Sequence, residues 1–215
     1  KLYLILYACL WHEYKPIVTS KTGRRRLFDY LEEQKYIVRP ENAPARSPGF
    51  GWTVIECGGK MVCVANLLGR VDMDYRNDSP FEAADRIMKQ ADADLFIFDI
   101  HAEATSEKLA MGYYLDGRVS AVWGTHTHVQ TSDACVLPKG TGYVTDLGMT
   151  GPKYSVLGIR PELSISKFRG DLYQRYQWAD GPTKLEAVLF TIDTTTKKCL
   201  KAERVDLYDE NSARR

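Results

Sequence analysis

Three of the four histidines, His101, His126 and His128, sit close together in the chain and in company that suits metal binding. Neutral imidazole is the commonest protein ligand for transition metals near neutral pH. The i, i+2 spacing in Gly124-Thr125-His126-Thr127-His128 sends the two imidazoles in different directions, which suits two adjacent ions better than one. Two metals about 3.5–4 Å apart are a common arrangement for phosphoester hydrolysis. Gly124 and the small Thr125 and Thr127 allow tight backbone turns around an ion. A strand-end histidine also serves as a hydrogen-bonded loop residue, and an H-x-H triplet arises by chance, so spacing alone leaves both readings open.

Two carboxylates are candidates to hold those imidazoles. Asp99 lies two residues before His101, and Asp146 follows Tyr143-Val144-Thr145. Either could accept the second N–H of a ligand imidazole and fix its tautomer. A loop or helix cap is the competing role for Asp99. Glu103 and Glu107 read as capping or lining the following helix.

These residues need elements to position them. Leu95-Phe96-Ile97-Phe98-Asp99-Ile100 is a nearly continuous apolar run of strand length, the mark of a strand buried on both faces. Thr105–Leu115 reads as a helix with Thr105 or Ser106 near its cap, and Val119–Trp123 as a second buried strand. Strand, helix and strand make a crossover unit suited to parallel pairing. Sites in open α/β sheets form beyond the carboxyl ends of strands. Neighbouring strands would therefore deliver all three imidazoles to one crevice.

Elsewhere the spacing predicts a helix over 24–36 with Leu27, Phe28, Tyr30 and Leu31 on its apolar face, then a Pro- and Gly-rich loop from Arg39 to Gly51. Trp52–Cys57 and Lys60–Asn66 form a hairpin turning at Gly58-Gly59. A helix over 80–91 starts at Pro80 with Ser79 as N-cap. Tyr143–Thr145, Ala187–Ile192 and Cys199–Val205 add strands.

With 29 basic and 28 acidic residues, the charge balance gives no reason to expect nucleic-acid or membrane-surface binding. The five cysteines are scattered and odd in number, which argues against a disulfide framework and for a reducing compartment, the cytoplasm. The apolar run Leu2–Trp11 is roughly half the length of a transmembrane helix. It lacks a small-residue cleavage site after it, and no starting Met precedes it; an extended strand, a fragment, or both fit it.

Five stretches together resemble one family, the YmdB-type, calcineurin-like metallophosphoesterases. They are Asp99–Lys108, Leu115–Thr131, Tyr143–Pro152, Asn66–Val71 and, more weakly, Val38–Pro40, in the family's order and covering about residues 24–207. The resemblance implies an α/β fold: a sandwich of mixed sheets between helical layers (α/β/β/α). It implies a metal-dependent phosphodiesterase for small phosphodiesters such as cyclic nucleotides. It implies two divalent ions, usually iron or manganese, with zinc as an alternative. Residue by residue, His101 and His126 would bind one metal and His128 the other.

The resemblance stops at the start of the chain. The family opens with a Gly-Asp metal motif, a Glu-Asn ligand pair and a Gly-Asn-His motif whose His protonates the leaving group, and none appears here. Glu41-Asn42 falls in a loop position of the family, and His12 lies too far before Arg39. The domain reading is an atypical segment at 1–22, an incomplete metallophosphoesterase domain at 23–208 and a frayed tail at 209–215. A sheet short of its first strand needs the Leu2–Trp11 run as a substitute, or a homo-oligomer to cover the gap. The leading function is metal-dependent phosphodiester hydrolysis with no catalytic acid identified. The alternatives are a non-catalytic remnant serving as scaffold or binding module, and a single-metal zinc hydrolase using three histidines.

Overall fold

The computed structural model describes residues 2–7 (backbone only), 28–73, 77–172 and 174–209. Two sheets carry the fold. Strands β1 (Leu2–Tyr7), β2 (Trp52–Cys57), β3 (Lys60–Leu68), β4 (Leu95–His101), β5 (Ala121–Thr125), β6 (Cys135–Val136), β7 (Gly142–Val144), β8 (Thr150–Pro152), β9 (Thr183–Ile192) and β10 (Cys199–Asp209) are joined by α1 (28–33), α2 (Pro80–Gln90), α3 (Thr105–Leu115) and α4 (Pro161–Arg169). One sheet runs β2-β3-β4-β5-β7-β6; the other runs β1-β9-β10, with β8 also on β9. The first is mixed, with β3, β4, β5 and β7 parallel and both edges antiparallel.

The period-2 alternation of side chains sorts the core into two layers. Cys63, Ala65, Leu67, Phe98, Ile100, Val122 and Tyr143 face α2 and α3, meeting Ala83, Ala84, Ile87, Met111 and Leu115. Val62, Leu95, Ile97, Ala121, Trp123 and Val144 face the second sheet and pack on Val188, Phe190 and Ile192. Both faces of the parallel strands are therefore buried, as the unbroken apolar run of β4 predicts.

The β2–β3 hairpin turns at Gly58 and Gly59, both at positive φ. Ser79 caps α2 by accepting from the Glu82 amide, and Pro80 opens the helix. The Leu2–Tyr7 part of the N-terminal run pairs antiparallel with Ala187–Ile192, so it does enter a sheet. Residues 8–11 of that run, with Cys9 and His12, lie outside the described residues, as does the tail from 210.

Several expected boundaries move. The first helix is described only from 28 and ends at 33, and its Phe28 and Tyr30 are exposed. The chain must turn there to lay Val38 beside Phe50 and Pro40 beside Asn66. The cap of α3 is Ala104, with no side-chain hydrogen bond, in place of Thr105 or Ser106. The second buried strand is Ala121–Thr125, two residues later than expected, because Val119 and Ser120 are still bending out of the helix. β3 likewise runs on to Leu68. These two extensions matter for the site: Leu68, His101 and Thr125 are register partners across three parallel strands. Among the described residues no helix is long and apolar enough to cross a membrane.

Candidate metal centre

His101 ends β4, and His126 is the first residue after β5, so the two reach the same end of the sheet. Nε2 of His101 and Nδ1 of His126 lie 3.0 Å apart, with the rings nearly perpendicular at 79°. Each ring is held from its other nitrogen. Nδ1 of His101 is 3.1 Å from the Thr125 hydroxyl, which donates to Asp99 at 2.9 Å. That hydroxyl has one proton and gives it to the carboxylate, so it accepts from His101 Nδ1–H. A neutral His101 then turns its Nε2 lone pair toward His126, whereas a His101 imidazolium would donate from Nε2 to His126 Nδ1. Nε2 of His126 pairs with Glu103 at 2.9 Å.

With His101 neutral, two protonation states remain. A His126 imidazolium donates from both nitrogens, to Glu103 and to His101. Alternatively His126 keeps only the proton facing Glu103, and two lone pairs then converge on one point, where a cation would relieve their repulsion. The second fits metal chemistry. Metal–nitrogen bonds of about 2.0–2.1 Å put two neighbouring ligand nitrogens roughly 3.0–3.3 Å apart. Carboxylate support behind a ligand imidazole is the usual arrangement.

His128 stands outside this pair. Its Nδ1 is buried and has no hydrogen-bond partner among the described residues. His126 and His128 both have positive φ, 119° and 61°, a left-handed backbone that non-glycine residues rarely adopt. Such strain costs on the order of 1–3 kcal/mol per residue and persists only where the surroundings over-determine it. Among the described residues no group of three or more His, Cys, Asp or Glu side chains is placed to hold an ion. The three imidazoles therefore fit a metal in part: two converge, one offers an orphaned nitrogen, and no carboxylate joins them as a ligand.

Asp146 is fully buried and turns to the loop rather than to an imidazole. Its Oδ2 accepts from the Thr127 amide at 3.0 Å, the Thr127 hydroxyl at 2.8 Å and Lys108 Nζ at 2.9 Å, and its Oδ1 from the Gly148 amide at 3.0 Å. Asp99 meets His101 through Thr125, and its other oxygen accepts from Asn66 Nδ2 at 2.7 Å. Glu107 lies in the first turn of α3 but accepts from the Arg70 and Val71 amides across the crevice. Glu103, read from sequence as lining a helix, instead pairs with His126. Its position two residues beyond a strand-end histidine was the available signal. Thr125 had a similar one, a hydroxyl at the last position of a strand. Lys108 had none: a lysine in a first helical turn reads as solvated, yet it is fully buried. Asn42 is no ligand. Its amide is spent on Leu68 N, Leu68 O and Asp78 O, which fits its reading as a loop residue.

Residues 23–205 match the YmdB-like protein family. The chain belongs to that family. A 2',3'-cyclic-nucleotide 2'-phosphodiesterase of Bacillus subtilis is 46% identical over 189 residues, which span 87% of this chain and 72% of that protein. Two crystal structures share the fold with TM-scores of 0.79. One is of a hypothetical protein of Thermus thermophilus, 38% identical over 86% of this chain and 72% of its own. The other is of a phosphatase of Mycoplasma pneumoniae, 34% identical over 88% and 69%. The mixed-sheet α/β fold expected from the family blocks is thus the observed one. By family the chain is a hydrolase of the phosphodiesterase type, in a lineage of metallophosphoesterases.

Proposed function

We propose that this chain is a cytoplasmic, metal-dependent phosphodiesterase for small phosphodiesters, 2',3'-cyclic nucleotides foremost, built on a dinuclear site. In this reading His101 and His126 share one ion and His128 serves the other. The observation that carries it is the 3.0 Å convergence of His101 Nε2 and His126 Nδ1, each ring braced by a carboxylate, through Thr125 in one case and directly in the other. The name of the Bacillus relative supports the substrate class. The four described cysteines, all free thiols, suit a reducing compartment.

Bound ions would supply a nucleophile by lowering the pKa of water, and would offset charge developing on the phosphoryl oxygens. The chain's own residues do the positioning. Thr125 and Asp99 fix the tautomer of His101, Glu103 orients His126, and Asp146 ties down the loop between His126 and His128 through Thr127. Iron or manganese is the expected filling, with zinc also suited to imidazole. No described residue is assigned as the acid for the leaving group.

The test is metal stoichiometry with turnover of a 2',3'-cyclic nucleotide in manganese or iron. His101→Ala and His126→Ala should each lose about one equivalent of metal. Retention of full metal content by both variants would overturn the ligand assignment. A second reading, a non-catalytic scaffold of the same family, is favoured by the absence of a three-donor metal group among the described residues. It predicts a folded chain with no metal-stimulated turnover.

A further inference from the structure

We propose that Lys108 is a positioning residue: its buried ion pair with Asp146 sets the backbone that presents His126 and His128. The proposal rests on the metal-centre reading above for its purpose, and on the hydrogen bonds of Lys108 and Asp146 for its geometry.

Lys108 sits in the first turn of α3, and its side chain and that of Asp146 are both 0% exposed. Nζ donates to Asp146 Oδ2 at 2.9 Å and to the Thr125 carbonyl at 3.1 Å. The same Asp146 oxygen accepts from the amide and hydroxyl of Thr127. The pair thus grips the chain one residue before His126 and one residue after it. His126 is the residue with φ of 119°, and His128, just beyond the second grip, has φ of 61°. A strained backbone of this kind holds only where neighbours fix it from both sides.

Stability does not explain the pair. Desolvating two charges costs about as much as their attraction returns, and well-packed apolar residues of similar size do as well or better. What a buried lysine and aspartate provide here is direction. Nζ fixes where the Thr125 carbonyl lies, and through Asp146 it fixes Thr127. Gly124 completes the arrangement, since a Cβ there would press to 2.6 Å on Lys108 Cδ.

The test compares the full chain with Lys108→Met and with Lys108→Met/Asp146→Asn, the second of which leaves no unpaired buried charge. Three quantities are read: the urea midpoint, the metal-free imidazole ¹H–¹⁵N spectra, and Mn²⁺ affinity. The double variant should stay folded at a lower urea midpoint, since an asparagine amide can accept on only one of the two sides on which Asp146 serves Thr127 and Gly148. Its His126 signals should leave their parent positions, and its Mn²⁺ affinity should fall about 10–100-fold, the usual effect of removing a residue that orients a metal ligand. A folded double variant with parent-like His126 signals would overturn the proposal. So would global unfolding of both variants, which would make the pair a structural element only. If the parent itself binds no Mn²⁺, the metal-centre reading fails, and the imidazole spectra still decide the role of Lys108.

Discussion

Gly124→Ala should damage the site and the fold together, by an amount that the local packing sets. Gly124 pairs with Ile100 in the parallel ladder, and its carbonyl accepts from the Leu147 amide at 3.0 Å. A Cβ added there would overlap the Thr145 carbonyl oxygen and lie 2.8 Å from its carbon, besides pressing on Lys108. The obstacle is backbone, so no rotamer change relieves it. To regain ordinary contact the β5 end and the Thr145–Asp146 segment must part by roughly 1.5 Å. Overpacking of this kind costs about 1–3 kcal/mol, which for a chain of this size lowers the melting temperature by roughly 2–12 °C. The same parting stretches the bonds from Thr127 and Lys108 to Asp146. A misplacement of about 1 Å can cost on the order of 100-fold in rate. Thermal and urea unfolding followed by circular dichroism give the first quantity. Metal titration and turnover of a cyclic nucleotide give the second. A variant with parental stability and parental metal affinity would refute the claim that Gly124 is required by this close approach.

Three further outcomes follow from particular residues. Burial works to raise the carboxyl of Asp133, but the hydroxyls of Thr131 and Thr145 and the Thr145 amide outweigh it and hold it below the usual carboxylate range. A depressed carboxyl contributes stability above its unfolded value, about 3.9, and loses it as pH falls through the folded value. The stability gap between the parent and Asp133→Asn should therefore narrow below about pH 4, and a gap independent of pH would contradict this. Burial pushes the Cys63 thiol up to about 12 and raises Cys199 as well, so iodoacetamide at pH 8 should reach both only after denaturation; native labelling of Cys63 as fast as the exposed Cys135 would count against it. Asn42→Ala should lower stability by on the order of 1–3 kcal/mol in urea titrations, because it strands the buried Leu68 amide and removes the donor to the Asp78 carbonyl, while the Leu68 carbonyl keeps Asn77; an unchanged midpoint would show that those groups find other partners.

The sequence by itself determined the parallel centre of the fold. The apolar runs of β4 and β5, the helix between them and the hairpin before them are local signals, and burial on both faces leaves few other places for such strands. It determined the neighbourhood of His101 and His126 for the same reason, since adjacent parallel strands must end on one side. The carboxylate roles were decided only by the tertiary structure. Asp146 and Glu103 are equally acidic in the sequence, yet one faces a buried lysine and the other an imidazole. Which partner each finds depends on the register of β5 against β4, and β5 lies two residues from the boundaries that composition predicts, although α3 begins at Thr105 as expected. Lys108 is the clearest case. Nothing in its flanking residues separates it from a solvated helix lysine, because its burial comes from Gly124 and Asp146, which approach from separate segments of the chain.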